Sequence, residues 1–465
     1  MTTTTTATRT NTYRSLDPAT GKLVREYPAL SAAEVEDALA RAHAAFPAWR
    51  DTPLTERVRC FRRLAALVES HAEELARQST MEMGKPLAHS MLEVTTVVDV
   101  LTYLADHGPA LLADVEATVP GFGAAVTRRE PVGVVLGIEP WNLPLYQAVR
   151  AAAPNLMLGN TVLLKPAEIT PGSTLLLDAL VHEAGFPEDV YRTVLLSTDQ
   201  VSELIADPRV RAVTLTGSDR AGSAVGEQAG RHIKPVVLEL GGSDPFVVLD
   251  SADVPRAAAT AAQGRLLLCG QACIAPKRVI VTDAVAEEFV AAFTAVFADQ
   301  TVGDPLDPAT TVGPLSSTEA AARLQSQYDD AVAKGATVLV AGGRLPGPGA
   351  WFRPAVITDI TPEMRVYHEE AFGPLGMVYR VPDADAAVDL ANSSPYGLNG
   401  TVFSADLEEA RDVARRLDVG GVGINGWLAA PSTLPFGGTK RSGVGRELGP
   451  VAMDAFANIK SYATA

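Results

Sequence analysis

Apolar residues recur at helical spacing through the start of the chain. Ser31-Ala-Ala-Glu34 has the form of a capping box, and an amphipathic run follows it to about Ala48. A second helical stretch spans about Thr55 to Thr80, and Met83-Gly-Lys-Pro86 closes it with a Gly and Pro stop signal. A third helix is expected over Leu92 to Leu104. The period changes near Val126. Val132 to Ile138 is short, apolar and β-branched, the pattern of a buried strand. Helices at about Leu145 to Leu158 and Ser173 to Ala184 then alternate with strands at Thr161 to Leu164, Tyr191 to Leu196, Ala212 to Thr216 and Pro235 to Glu239. Alternation at this spacing predicts βαβ units and a parallel sheet. A second α/β segment begins near Gly241, with strands at about Arg278 to Thr282, Thr337 to Val340, Gly376 to Val381 and Thr401 to Phe403. Gly- and Pro-rich stretches such as Gly342 to Gly349 divide it, and no internal repeat is visible.

Open parallel sheets bind ligands beyond the carboxyl ends of their strands, so the residues that follow each strand are the candidates for chemistry. Val132 to Ile138 runs into Glu139-Pro-Trp-Asn-Leu-Pro144. The Asn142 amide suits a developing oxyanion, where such donors contribute roughly 10²–10³-fold to rate; it equally fits an N-cap or a turn. Thr161 to Leu164 leads into Lys165-Pro-Ala-Glu168. A Lys and a carboxylate there suit a ribose and its phosphates, or a solvated helix start. Thr216-Gly-Ser-Asp-Arg-Ala-Gly222 is a small-residue turn into a helix N-terminus, either a pyrophosphate seat or an N-cap serine. Glu239-Leu-Gly-Gly242 offers a carboxylate that burial would turn into a general base, or an ordinary surface residue. Gly421-Val-Gly-Ile-Asn-Gly426 matches the dinucleotide pattern, but Trp427, Pro431 and Pro435 follow it instead of a helix, and it is rejected.

Composition narrows the reading. The 465 residues are too many for one ordinary core and imply two or three domains. With 47% hydrophobic and 20% charged residues the balance is that of a folded soluble protein. A net charge of -16 argues against nucleic acid and anionic membrane as partners, and leaves an anionic cofactor dependent on helix N-termini and a few lysines. No apolar run approaches the roughly 20 residues of a membrane span. Met1 to Thr12, Thr-rich and without an apolar core, is expected to be a mobile tail. The three cysteines, Cys60, Cys269 and Cys273, form no disulfide framework and suggest a reducing cytoplasm.

Cys273, in Gly270-Gln-Ala-Cys273, is the candidate nucleophile, although a lone cysteine is more often a packing residue. If Cys269 shares its turn, oxidation would couple the two thiols; Cys269 packed as a small apolar residue is the simpler alternative. No His or Cys cluster of ligand spacing lies nearby, so no metal is expected. His368-Glu-Glu370 reads as a turn before Phe372-Gly-Pro374.

Taken in order, Pro140-Trp-Asn-Leu-Pro144, Lys165-Pro-Ala-Glu168, Thr216-Gly-Ser218, Glu239-Leu-Gly-Gly242, Gly270-Gln-Ala-Cys273, Glu370-Ala-Phe-Gly-Pro374 and Pro435-Phe-Gly-Gly438 through Ser442-Gly-Val-Gly-Arg-Glu447 resemble the aldehyde dehydrogenase superfamily. The likeness runs from about Ser15 to Tyr462. It implies an α/β fold with a Rossmann-like parallel-sheet cofactor domain (residues 1–115 and 130–240), a second α/β catalytic domain (241–427) and a small β oligomerisation element (116–129 and 448–465). Cys273 then resembles the nucleophile, and Asn142 with the Cys273 N–H the oxyanion hole. Glu239 resembles the base for the hydrolytic water, and Glu447 a second carboxylate in proton relay. Lys165 and Glu168 match the adenine-ribose grip, Gly217 and Ser218 a pyrophosphate contact, and Glu370 and Phe372 the nicotinamide ribose and ring. Ile138, Trp141 and Gly241 complete the implied cofactor contacts. A base at Glu239 implies hydrolysis of the thioester and not its transfer to coenzyme A. Glu168 would bond a ribose diol and repel a 2′-phosphate, so NAD is the expected cofactor and NADP the alternative.

Gly241-Gly-Ser-Asp-Pro245 and Ile274-Ala-Pro-Lys-Arg278 are most similar to the short bacterial succinate-semialdehyde dehydrogenases of that family, which hold the substrate carboxylate with arginines. Arg150 matches one such position. The other, six residues before the nucleophile, is Leu267, within the apolar Leu266-Leu-Leu-Cys269. Leucine cannot supply a bidentate grip, and desolvating a carboxylate there is costly. A more apolar aldehyde is therefore the rival substrate, with Leu143, Tyr146, Trp427 and Ser432 at the matching substrate positions. Leu268 stands where the family usually has Asn. The alternative from another class is a non-catalytic nucleotide-binding relative. The resemblance also implies a homodimer or homotetramer built through Glu116 to Arg129 and Val451 to Thr464.

Overall fold

Ser31 and Glu34 exchange the capping bonds that their spacing predicts: the Glu34 carboxylate accepts from the Ser31 N–H at 2.7 Å, and the Ser31 hydroxyl accepts from the Glu34 N–H at 3.3 Å. They start helix α1 (Ala32–Arg50) in a computed structural model that describes residues 12–465. Of the expected tail only Thr12 is described, and it opens a strand, Thr12–Leu16; the rest of that reading lies outside the described residues.

The single helix expected over Thr55 to Thr80 is two, α2 (Leu54–Ser70) and α3 (Ala72–Met83). The Ser70 hydroxyl and the His71 ring both turn back to the Leu67 carbonyl at 2.9 Å, and local bonds of this kind compete with a continuous helix. Gly84 ends α3 at φ +85, where a Cβ would lie 2.7 Å from the Pro314 carbonyl oxygen. Helix α4 (Leu87–Leu111) follows at once and outruns the predicted Leu92 to Leu104 at both ends.

The first sheet has six strands in the order Gly443–Val444, Val236–Glu239, Val210–Thr216, Val134–Ile138, Thr161–Lys165 and Tyr191–Thr193. All neighbours are parallel except the first pair. The chain builds outward from Val134–Ile138 on one side, then crosses to the other, so the strand order reverses there. The carboxyl ends that flank this switch point carry Glu139 to Asn142 and Thr216 to Ser218, the place where open α/β sheets take ligands. Helix α5 (Pro144–Leu158) leaves from that point.

The second sheet has seven strands, in the order Thr337–Val340, Ala355–Thr358, Leu375–Val381, Pro276–Thr282, Asp244–Val248, Asn399–Phe403 and Gly421–Ile424. Only the first is antiparallel to its neighbour. Asp244–Val248, absent from the predicted elements, is central and wholly buried, so it lacks the alternation that marks a half-exposed strand. The rejected Gly421 motif is the edge strand Gly421–Ile424. A third sheet joins Val115–Ala117, Ala124–Pro131 and Ala457–Thr464. No helix among the described residues is long and apolar enough to cross a membrane.

Candidate active site

One cleft of about 680 Å³ runs between the carboxyl ends of the first sheet and the loops of the second. Sites for small molecules and cofactors typically span roughly 300–1,000 Å³. Cys273, Asn142 and Glu239 line it, and so do Lys165, Glu168, Gly217 and Ser218. Ile138, Trp141, Gly241, Glu370 and Phe372 line the same space.

The nucleophile candidate precedes its strand. The chain leaves the helix Val254–Leu266, makes a left-handed turn through Leu268 (φ 53), Cys269 (φ 56) and Gly270 (φ 75), and reaches Cys273 before Pro276–Thr282. Such backbone costs roughly 1–2 kcal/mol at each non-glycine residue. The surroundings hold it. Arg265, fully buried, donates to the carbonyls of Gly270 at 3.1 Å and Ala371 at 2.7 Å. The Gln271 side chain bonds Leu268 O and Ser316 N. Lys277, equally buried, donates to Ala272 O at 2.8 Å and Cys273 O at 2.6 Å, and pairs with Glu370 at 2.9 Å. Cys269 is fully buried in the apolar core of the second domain, the simpler of the two expectations for it.

Cys273 is half-buried. Desolvation pushes its thiol up to about 11, against the pull of Arg150 and Lys277. Glu239 has both carboxylate oxygens buried and unpartnered. Burial, reinforced by Glu447, holds it well above the usual carboxylate range, so it is suited to take up a proton. Gly437 makes room for it: a Cβ there would lie 2.5 Å from Glu239 Oε1. The Asn142 amide donates to Gln271 O at 3.0 Å, which ties the strand-end loop to the nucleophile segment.

The nucleotide-facing residues are mixed in their partners. Ser218 caps its helix by accepting from Ala221 N, and that N-terminus opens on the cleft. Lys165 lies over the Tyr13 ring at 5.5 Å, while Glu168 is exposed. Trp141 and Phe372 meet edge to face at 5.7 Å. Gly241 leaves room for the Glu370 carboxylate, which a Cβ 2.3 Å from Oε2 would displace. A helix N-terminus, a lysine, an exposed carboxylate and two flat rings on one cleft are a set that fits a nicotinamide dinucleotide.

Arg150 and Glu447 do not line this cleft. They form an ion pair at 2.6 Å between two buried side chains, with Arg150 on α5. Thr214 donates to the other Glu447 oxygen at 3.0 Å, and Arg150 donates to Thr216 Oγ1 at 2.9 Å. The Arg150 guanidinium lies between the rings of Tyr146 and Phe436. Leu143 and Leu267 pack on Leu268, Ala272 and Ala275, an apolar collar beside the nucleophile segment. Trp427 donates to Ile274 O, and the half-buried Ser432 accepts from Gly449 N through its carbonyl.

Sequence reasoning passed over several residues. Glu139 lines the cleft with both oxygens buried and unpartnered, and burial first, then Glu447, drives it well above the usual range. Its place at a strand's carboxyl end was the available signal. Lys277 was visible as a charge inside an apolar strand. Lys85, Glu93 and Arg265 carried no local signal, since their partners lie far along the chain.

A parallel-sheet cleft that brings a thiol, an amide donor and a buried carboxylate to a dinucleotide-sized site is the arrangement of an α/β oxidoreductase. The chain belongs to the aldehyde dehydrogenase family, whose profile matches residues 5–462. It is 50% identical over 448 residues to the succinate-semialdehyde dehydrogenase [NADP(+)] of Deinococcus radiodurans, covering 96% of this chain and 94% of that one. It is 45% identical to succinate-semialdehyde dehydrogenase [NADP(+)] 1 of Mycobacterium ulcerans, covering 96% and 98%. Among solved structures, the succinic semialdehyde dehydrogenase of Streptococcus pyogenes with NADP+ superposes with a TM-score of 0.94 at 36% identity, covering 97% of this chain and 99% of that one. These relatives carry NADP in their names, and the expected preference for NAD finds no support in them.

Proposed function

We propose that this protein oxidises succinate semialdehyde to succinate with NADP(+), by way of a thioester on Cys273. The observation that carries the reading is the convergence of Cys273, Asn142 and Glu239 on one cleft, in a chain half identical to a relative named for that reaction. Cys273, freed of its proton, adds to the aldehyde carbon. The Asn142 amide and the Cys273 N–H hold the oxyanion. When bound, NADP(+) supplies the hydride acceptor. Glu239 then takes a proton from the water that opens the thioester, and succinate leaves. Glu447, tied to Arg150, strengthens the hold of Glu239 on that proton through its charge.

Lys165 is the cation for the 2′-phosphate, and Glu168, lining the same cleft, is the carboxylate that weakens that grip. Arg150 is the buried cation offered to the substrate carboxylate, and it is shared with Glu447. The same reading makes the protein a cytoplasmic homo-oligomer: its cysteines are all free, and the strand Ala457–Thr464 is exposed along nearly its whole length.

The test follows reduced-cofactor formation with succinate semialdehyde and with butanal, each with NADP(+) and NAD(+), using Cys273→Ala as the blank. The reading expects succinate semialdehyde to lead on kcat/KM, and Glu168→Ser to raise the NADP-to-NAD ratio by about tenfold. A lead for butanal overturns the substrate. A lead for NAD(+) over NADP(+) in the wild type overturns the cofactor assignment.

A further inference from the structure

Two buried ionisable side chains outside the cleft grip the loop that carries Asn142. Lys85 follows the Gly84 stop, and Glu93 lies two turns into α4. Both side chains are 0% exposed, and they meet at 2.5 Å. The Lys85 ammonium also donates to the backbone carbonyl of Asn142 at 3.1 Å. The second Glu93 oxygen accepts from Leu145 N at 2.8 Å and Tyr146 N at 3.0 Å. Ser79 donates to the first at 3.2 Å.

Helix α5 has no cap of its own, because Leu143 occupies the N-cap and cannot bond the first-turn amides. Glu93 supplies that cap from another helix. Stability is a poor reason to bury such a pair, since well-packed apolar residues of similar volume often serve as well or better. What the pair does is geometric. It fixes one carbonyl and two amides across Asn142 to Tyr146, so the backbone that leaves Asn142 is held into the first turn of α5. The side chain of Asn142 has one partner, Gln271 O, and an unpartnered Oδ1, so its aim follows the backbone.

We propose that Lys85 and Glu93 are positioning residues for the oxyanion donor, holding the Asn142 loop so that its amide is aimed before substrate arrives. The proposal rests on the aldehyde-oxidising reading for its kinetic half, and the experiment separates the two. Lys85→Met is made in the full chain, alone and with Asn142→Ala, and compared with wild type. The expected result is a fall in kcat of at least about tenfold, as for a weakened oxyanion donor, with the NADP(+) Kd unchanged. In the Asn142→Ala background the same substitution costs little, because residues acting through one group are not additive. Equal losses in both backgrounds overturn the proposal, as does a matching loss of cofactor affinity. Hydrogen exchange of the Trp141–Gln147 segment, measured without substrate, accelerates by about tenfold in Lys85→Met and not elsewhere. Unchanged protection there overturns it whatever the activity. If Lys85→Met does not fold, the paired Lys85→Met and Glu93→Leu chain removes both charges and carries the same expectations. Wild-type inactivity toward both aldehydes would strike the proposed function, while the exchange result would still decide the loop.

Discussion

At the scale of single residues, burial sets the chemistry. The Cys273 thiol, pushed up to about 11, is protonated at neutral pH in the free protein. Below that value its thiolate fraction rises about tenfold per pH unit. Iodoacetamide labelling of Cys273, read by peptide mass spectrometry without cofactor, should therefore climb about tenfold per unit from pH 7 to pH 10. A plateau near pH 8 would show a thiol already activated. His89 behaves in the opposite sense. Burial, helped by Lys85, lowers it to about 4, and its Nδ1 accepts from Leu268 N at 3.3 Å, which requires the neutral ring. As the pH falls from 6.5 the unfolded chain takes up this proton first. The contribution to stability is thus present above 6.5 and is lost as the pH falls through about 4. Thermal unfolding across that window should fall less steeply for His89→Gln, which keeps an acceptor without the titration. Parallel slopes would remove His89 from the account.

At the scale of elements, the turn from Leu267 to Gly270 explains a departure that the residues alone left open. Leu268 has φ 53, a left-handed value that Asn tolerates and Leu does not, and Asn is what the family usually places there. Here the Leu268 side chain joins Leu143, Leu267, Ala272 and Ala275 in the collar, so apolar packing offsets the backbone cost. The collar also makes Leu267 the position to change. Leu267→Arg should lower the KM for succinate semialdehyde by about tenfold and raise it for butanal, since a guanidinium grips a carboxylate and spoils an apolar wall. Steady-state kinetics with both aldehydes check this; a KM for succinate semialdehyde that does not fall would mean the carboxylate lies elsewhere. Most helices and parallel strands here were legible because periodicity is local. The break at His71 and the buried strand Asp244–Val248 were not, because one depends on side chains folding back on a carbonyl and the other shows no alternation.

At the scale of the molecule, the third sheet stands apart from both cores. Ala457–Thr464 pairs with Ala124–Pro131 on one edge only, and Ile459, Tyr462 and Val115 are exposed on it. An uncovered edge strand with apolar side chains is a surface that a second copy would cover. Removing residues 457–465 should reduce the assembly seen by light scattering to a smaller species while leaving the first two sheets folded. An unchanged mass would place the subunit contact elsewhere.

Motif order along the chain was enough to identify the family and to single out Cys273, Asn142 and Glu239, which the structure brings to one cleft, because each sits just after or before a strand whose pattern is local. Capping at Ser31 and the stop at Gly84 were equally a matter of neighbours in sequence. The tertiary structure alone decided who meets whom. It pairs Arg150 with Glu447, nearly three hundred residues apart, in a buried ion pair. It brings Lys277 to the Cys273 carbonyl and Glu370 at once, and Lys85 to Asn142. Those contacts join charges to carbonyls across different elements, and a buried charge takes whatever partner the packing brings within reach, which no local pattern encodes.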